Sequence, residues 1–384
     1  FNSPKYKVET LMNRKPATEL EIIDECDEFL DSFANIEQIN LSRLLFALGF
    51  VFADDEESKG IIKDLEYITN QLKKQYREPT TEINEIKNTL ICDLLKKILK
   101  NNSLLDEIEI DDSNYLYHLD EVARIFMEFL NETFFSIEKR DNDIIIQLVT
   151  TNLEKRFKEL TEKNKVFIMM SGTIHSENVL ENIFGITDFK IIDAETEHQG
   201  ELIPCRHGYE IDCKYANFQS QKVSREQYLK ALSKTITCAK KPALVHVNSF
   251  SDLPTDIEKI NLNIDNLPTS HELITKQSQD PLGQRVIDFK NKKINILFTT
   301  KCNRGVDFPG DICNSIILTK FPYPNISSIF WKVLKRNKPT YFMSFYMDKA
   351  RRELLQKVYR GLRSKTDRVY LLSPDSRVLD AKIN

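Results

Sequence analysis

Glycine is scarce in this chain: ten in 384 residues. That scarcity excludes glycine-rich linkers and collagen-like repeats. No apolar run approaches the ~20 residues a membrane-spanning helix requires, and no segment has the layout of a secretory signal. No charge of one sign dominates. The 54 Lys and Arg against 58 Asp and Glu give a net charge of -4, so there is no global basic field. Any nucleic-acid site must therefore be a local groove. The seven cysteines form no C-x-x-C pair, and no histidine lies at zinc-ligand spacing. Zinc fingers and disulfide frameworks are thereby excluded, and reduced thiols in a cytoplasm are expected. There is no Ser-His-Asp triad, internal repeat or low-complexity tract. The first residue is Phe1 rather than Met, which reads as a fragment or a processed product.

What is present is ordinary globular material, 41% hydrophobic and 29% charged, long enough for two or three domains. Glu19–Ile23 reads as a short strand running into acidic residues. From residue 28 to about 160, apolar residues recur at helical spacing over Gly60–Leu72, Ile83–Leu99 and Leu119–Phe135. This block is expected to be helical, with Asp143–Val149 as a candidate strand. From Lys165 short apolar runs alternate with helical ones. Strands are expected at Val166–Met170, which reads as buried, and at Ala243–Val247, Ile294–Thr299, Ser315–Thr319 and Arg368–Leu372. Helices are expected at Ser176–Phe184, Asp280–Asn291 and Lys349–Leu362. Such alternation implies a parallel sheet covered on both faces.

Four constellations can carry chemistry. Asp24-Glu25 follow an apolar strand directly, where one carboxylate can hold magnesium and the next can polarise water. The same residues also suit an acidic turn capping the next helix through Asp24 or Asp27. Ser171-Gly-Thr173 lies between a strand and a helix, as a coupling turn or as a plain N-cap. The loop Thr299–Gly310 holds Gly305, which permits close backbone approach, and Asp307, which can orient an arginine or contact a ribose. Its alternative is a simple connection between strands. Gln356, Arg360 and Arg363 stand at i, i+4 and i+7, so one helix would put them on one face. Two guanidiniums there can reach a phosphoryl group or form a solvated basic face. His246 reads as a core or edge histidine.

In this order the segments resemble the XPD/DinG family of superfamily 2 helicases. Asp24-Glu-Cys-Asp27 resembles motif II, Met170-Ser-Gly-Thr-Ile174 motif III, and Val245-His-Val-Asn-Ser-Phe250 stands where motif IV falls. Gly305-Val-Asp-Phe308 resembles motif V, Lys320-Phe-Pro-Tyr-Pro324 the family's Pro-Tyr-Pro element, and Gln356, Arg360 and Arg363 motif VI. The block between motifs II and III matches the family's arch insertion. The resemblance implies an α/β fold: RecA-like motor domains with parallel sheets plus an all-helical arch-like insertion. Motor domain 1 would take 1–35 and 161–200, the insertion 36–160, and motor domain 2 201–384.

The resemblance further implies ATP and Mg2+ as cofactors and single-stranded DNA as partner, with 5′ to 3′ translocation in DNA repair or replication. Asp24 and Glu25 would be catalytic, Asp24 holding the metal, with Arg360 and Arg363 as fingers. Asp27, Gly305, Asp307 and Gln356 would contact the nucleotide. Ser171, Thr173, Ser249, Arg304, Phe321 and Tyr323 would contact nucleic acid, although Phe321 and Tyr323 suit a core role equally. Repair or transcription partners would dock on the insertion. The protein is expected to be monomeric, off the membrane, and cytoplasmic or, in a eukaryote, nuclear. No Gly-x-x-x-x-Gly-Lys-Ser/Thr loop occurs. The family carries that loop and its four iron–sulphur cysteines upstream of motif II, so any cluster belongs upstream and none is expected in this chain. Cys26 and Asp27 stand in place of Ala and His, Tyr359 in place of a glycine, and Arg304 in place of a commonly acidic residue. This chain alone is expected to be inactive. The competing reading is a non-catalytic helicase-like protein that binds nucleic acid or serves as a scaffold.

Overall fold

In the computed structural model, the described residues are 18–34, 36–51, 53, 55–100, 114–162, 164–192, 200–301 and 305–382. The chain divides into two compact units. The first comprises Phe1–Asp188 and Asn325–Tyr346, the second Phe189–Pro324 and Met347–Asn384.

The strands of the first unit are β1 (Thr18–Ile23), β2 (Glu37–Asn40), β3 (Thr80–Glu85), β4 (Thr133–Arg140), β5 (Asp143–Thr150) and β6 (Asn164–Met169). β1 and β6 pair in parallel, with Leu20 opposite Val166 and Ile22 opposite Ile168. All four of these apolar side chains are exposed. The strand over Val166–Met170 was expected to be buried; it is largely open, because no further strand or helix covers this face among the described residues.

The expectation of an all-helical insertion is corrected. Residues 36–160 contain a four-stranded antiparallel sheet in the order β2-β5-β4-β3. Four helices, Leu41–Leu48, Glu56–Gln75, Leu90–Ile98 and Tyr115–Met127, pack on one face. Phe135, Ile137, Ile146 and Leu148 point from that face into the helices' apolar sides. The opposite face, carrying Phe134 and Val149, meets the helix Ile329–Asn337, whose Arg336 guanidinium lies 5.8 Å from the Phe134 ring centre. Two covered faces explain why apolar residues of Asp143–Thr150 fall on both sides of the strand, Ile146 and Leu148 on one and Ile145 and Val149 on the other. They also explain why helical spacing misleads near 130: the helix stops at Met127 and β4 begins at Thr133.

The second unit is a five-stranded parallel sheet, order β7-β11-β10-β8-β9. The strands are β7 (Glu201–Pro204), β8 (Ala243–His246), β9 (Ile296–Thr299), β10 (Ser315–Leu318) and β11 (Arg368–Leu372). Every residue of β8 and β10 is buried. Leu244, Ile316 and Leu371 face one core and Val245, Ile317 and Leu372 the other. A strand buried on both sides must be apolar throughout, and the sequences ALVH and SIIL are nearly so. The α/β class with parallel sheets is the one expected.

Candidate nucleotide and nucleic-acid sites

The first unit gathers its chemistry where β1 and β6 end. Met170 N donates to Ile23 O at 2.8 Å and Cys26 N to Met170 O at 3.0 Å, so the pairing carries the chain past both strands. Asp24 and Glu25 then lie exposed, and Glu25 N donates to Asp24 Oδ1 at 2.9 Å. Glu25 takes a left-handed conformation, φ 49°, as the N-cap of the helix Cys26–Ser32. That turn brings Asp27 inward, fully buried. Its carboxylate accepts from Ser171 Oγ at 2.8 Å and from Thr173 Oγ1 at 2.9 Å. Hydrogen bonds to a charged acceptor each contribute roughly 1.5–3 kcal/mol, and a buried carboxylate without them would be costly. Asp27, expected at the nucleotide, and Ser171 and Thr173, expected at nucleic acid, are thus brought together as a latch. His175 lies under them, buried against Phe184, with Nε2 3.2 Å from Asp31 Oδ1.

The second unit gathers its chemistry around Asp307. Gly305 has φ 74°, a conformation open to glycine without strain. Three residues on, Phe308 N donates to Arg360 O at 2.8 Å, joining this loop to the C-terminal arginine segment. Asp307 Oδ1 accepts from Arg360 Nη1 at 3.1 Å and from Arg363 Nη2 at 2.5 Å. Partial burial works to raise the Asp307 pKa; the hydrogen bonds and charges of Arg363 and Arg360 outweigh it and hold the group below the usual carboxylate range. Arg360 is buried, while Arg363 is partly exposed.

The arginines do not share one α-helix with Gln356, as their spacing suggests. The helix Pro339–Val358 ends first, and Tyr359–Gly361 form a 3-10 turn. Gly361 explains the stop. A Cβ there would stand 2.8 Å from Val369 Cγ2 and 3.2 Å from Ile316 Cδ1, so the backbone lies directly on the sheet. The two guanidiniums converge through Asp307 instead of through helical periodicity.

Ser249 is exposed and caps a short 3-10 turn, accepting from Ser251 N at 3.3 Å. Phe321 is buried in the core, its ring centre 4.7 Å from that of Tyr323, and Arg377 lies 5.2 Å from the Tyr323 ring centre. The core role offered for these rings is the one this packing favours. Gln356 is buried on the helix, and Arg304 lies outside the described residues.

Residues 232–384 match the family described as Helicase C-terminal domain. A probable ATP-dependent helicase of Methanocaldococcus jannaschii is 23% identical over 332 residues, covering 78% of this chain and 49% of that protein. The 3'-5' exonuclease DinG of Staphylococcus aureus is 22% identical over 340 residues, covering 85% of this chain and 35% of that protein. An apo XPD structure superposes with a TM-score of 0.56 at 17% identity, covering 93% of this chain and 72% of that one. Xpd4 of S. tokodaii gives 0.54 at 15%, covering 94% and 72%. The chain is XPD/DinG-like. It spans half or less of the length of the curated relatives it matches.

Several residues that hold these XPD/DinG-like motifs together escaped the sequence reading. Asp367 is buried and accepts from Arg363 N and Ser364 N, each at 2.7 Å, and from Gly310 N at 3.0 Å. It ties the motif V loop to the end of motif VI. Lys357, also buried, donates to Asn248 Oδ1 at 3.1 Å and pairs with Glu353 at 3.1 Å. Asn248 N in turn donates to Thr319 Oγ1 at 3.0 Å, and Thr319 Oγ1 to Asp252 Oδ2 at 2.9 Å. Motif IV, the strand before the Pro-Tyr-Pro element and motif VI are thus one hydrogen-bonded chain. The links from Asp367 to Gly310 and from Lys357 to Asn248 are long-range, and no local pattern marks them.

Among the described residues no group of three or more His, Cys, Asp or Glu could hold a metal by itself. Magnesium needs no such cage; one or two carboxylates plus phosphate oxygens and water suffice. Asp24, exposed at the strand end, fits that requirement. None of the six described cysteines is in a disulfide, and no described helix is long and apolar enough to cross a membrane.

Proposed function

We propose that this chain forms the motif II to motif VI part of an ATP-dependent DNA helicase or translocase. It would act on single-stranded DNA with 5′ to 3′ polarity, in repair or replication. The observation that carries the reading is the convergence of Arg360 and Arg363 on one oxygen of Asp307. Two guanidiniums held on a single exposed-side carboxylate are preorganised cations, and a scaffold has no need of them. When bound, MgATP supplies a phosphoryl group whose transfer to water releases the energy for movement.

Asp24 would hold the metal through a carboxylate, and Glu25 would orient the attacking water. Asp307 keeps both guanidiniums aligned until a phosphoryl oxygen competes for them. Arg363, the more exposed, would act as the finger and Arg360 as its fixed neighbour. Asp27 with Ser171 and Thr173 would report the state of motif II to motif III as a positioning latch. Ser249 and the motif V loop would contact the nucleic-acid backbone. Tyr359, where the family has glycine, is half-buried against the second unit's core and leaves Arg360 on Asp307, which favours this reading over a non-catalytic relic.

The phosphate-cradling loop is not among these 384 residues, so the 384-residue chain alone is expected to hydrolyse no ATP. The deciding experiment is ATP hydrolysis by the intact gene product with and without single-stranded DNA. Strong stimulation by DNA supports the motor. Absence of hydrolysis with DNA binding retained leaves the non-catalytic protein.

A further inference from the structure

The helix Leu41–Leu48 in the insertion has two apolar faces, and only one belongs to the core. Leu41, Leu44, Ala47 and Leu48 are buried against the antiparallel sheet's helical layer. On the other side Phe46 is 70% exposed and Phe50 63% exposed. They are the only exposed phenylalanines among the described residues. Their ring centres are 4.7 Å apart at an interplanar angle of 49°. Each ring forgoes part of the roughly 1.5–3 kcal/mol that full burial would contribute, and two rings placed together in water offer a flat apolar face to a ligand.

The rings border a groove of about 530 Å3, with Ser42, Arg43, Asn114 and Tyr115 along the rest of its wall. Arg43 is the one charged residue in that wall. Lys73 adds a second cation at the same end, its Nζ 3.2 Å from Ser42 Oγ. Asp143 also stands at this end, outside the wall; its Oδ2 accepts from Asn40 Nδ2 at 2.9 Å and its carboxylate is attracted by both Lys73 and Arg43, so two cations and one anion leave this end with one net positive charge. A volume of this size suits a small planar ligand; a stable protein partner needs roughly 800 Å2 on each side. Flat aromatic faces with cations at one end match a base and its phosphate.

We propose that this groove is a stacking platform for an unpaired nucleobase of a single strand, with Arg43 and Lys73 meeting the adjoining phosphate. It rests on the reading that the protein handles single-stranded nucleic acid, and it adds a contact on the insertion away from the motor motifs.

The test uses the full 384-residue chain and a fluorescein-labelled oligothymidylate, read by anisotropy. Phe46→Ala with Phe50→Ala should weaken binding about tenfold or more, with an unchanged melting curve, since both side chains are exposed. Phe46→Trp with Phe50→Trp should keep the affinity, and Phe46→Leu with Phe50→Leu should lose it. Arg43→Gln should reduce the salt dependence by about 0.7 in log–log slope, one phosphate contact on a single strand. Wild-type affinity in the double alanine variant, or in the leucine pair, overturns the platform. So does a wild-type dimer in sedimentation that the alanine pair dissolves, which would assign the groove to a second copy. The motor reading fails separately: if the intact protein binds no single strand and shows no DNA-stimulated hydrolysis, that reading falls as well. If it does both and the alanine pair changes nothing, only the groove falls.

Discussion

Among the described residues two parallel sheets differ sharply in cover. The five-stranded sheet has its central strands buried on both faces, with Ile316 and Ile317 in opposite cores. The two-stranded sheet leaves Leu20, Ile22, Val166 and Ile168 exposed on one face. Parallel strands depend on cover from both sides, and two alone bury too little to be stable. Yet the shorter sheet ends in the better-defined latch, Asp27 with Ser171 and Thr173. Site geometry is therefore set locally at strand ends, by polar closure, while strand stability is set by the number of neighbours.

The comparison is probed hardest by catalysis. If both strand ends serve one reaction, then in the intact protein Arg363→Ala should lower ATP turnover by about 10³ or more and leave single-strand affinity nearly unchanged. Glu25→Gln should do the same from the shorter sheet. Normal turnover in either variant would detach that sheet from the chemistry.

Next comes packing. Ile316→Ala should destabilise the second unit by about 2–5 kcal/mol. Ile168→Ala, on the open face, should change stability by less than about 0.5 kcal/mol. Denaturation of the 384-residue chain followed by hydrogen exchange in β10 and β6 measures each sheet separately; equal effects would erase the difference between them. Gly361→Ala tests the close approach to β10 and β11, and should cost about 1–3 kcal/mol because Val369 and Ile316 have to move.

The mildest probe is pH. Burial, followed by the nearby Lys357 charge, pushes the His246 pKa down from 6.5 to about 3. Between those values the unfolded chain binds one proton more than the folded one. Stability of the five-stranded sheet should therefore rise with pH across that window, and fall as pH drops from 6.5 towards 3, by up to about 1.4 kcal/mol per unit. His246→Gln should flatten this contribution, as seen in the exchange rates of β8 amides. The same slope in both proteins would mean another group is responsible.

Much of the second unit was legible in the sequence, because β8, β10 and β11 are short runs of strand length with at most one charged or polar residue besides Tyr370. The insertion's sheet was less so. β3 reads TTEINE, polar enough to pass for a loop, and β4 follows a helix after a few residues without glycine or proline. The candidate motif residues were read from order and spacing. Their partners could not be: Asp367 reaches Gly310 across 57 positions, and Lys357 reaches Asn248 across 109. Such contacts arise when the sheet closes, and leave no local mark on the chain.

The parallel pairing of β1 with β6 has a topological consequence. Parallel neighbours need a crossover connection, and a dozen residues would suffice. Here about 140 residues lie between Ile23 and Asn164, and they include a module with its own sheet and core. The entropy of closing a loop grows only with the logarithm of its length, so the longer connection adds roughly 2 kcal/mol over the minimal one. A module that folds around its own core offsets that easily. The crossover is thus a socket: its ends are fixed by strand pairing, and what is plugged into it can grow, shrink or be exchanged while Asp27 still finds Ser171 and Thr173.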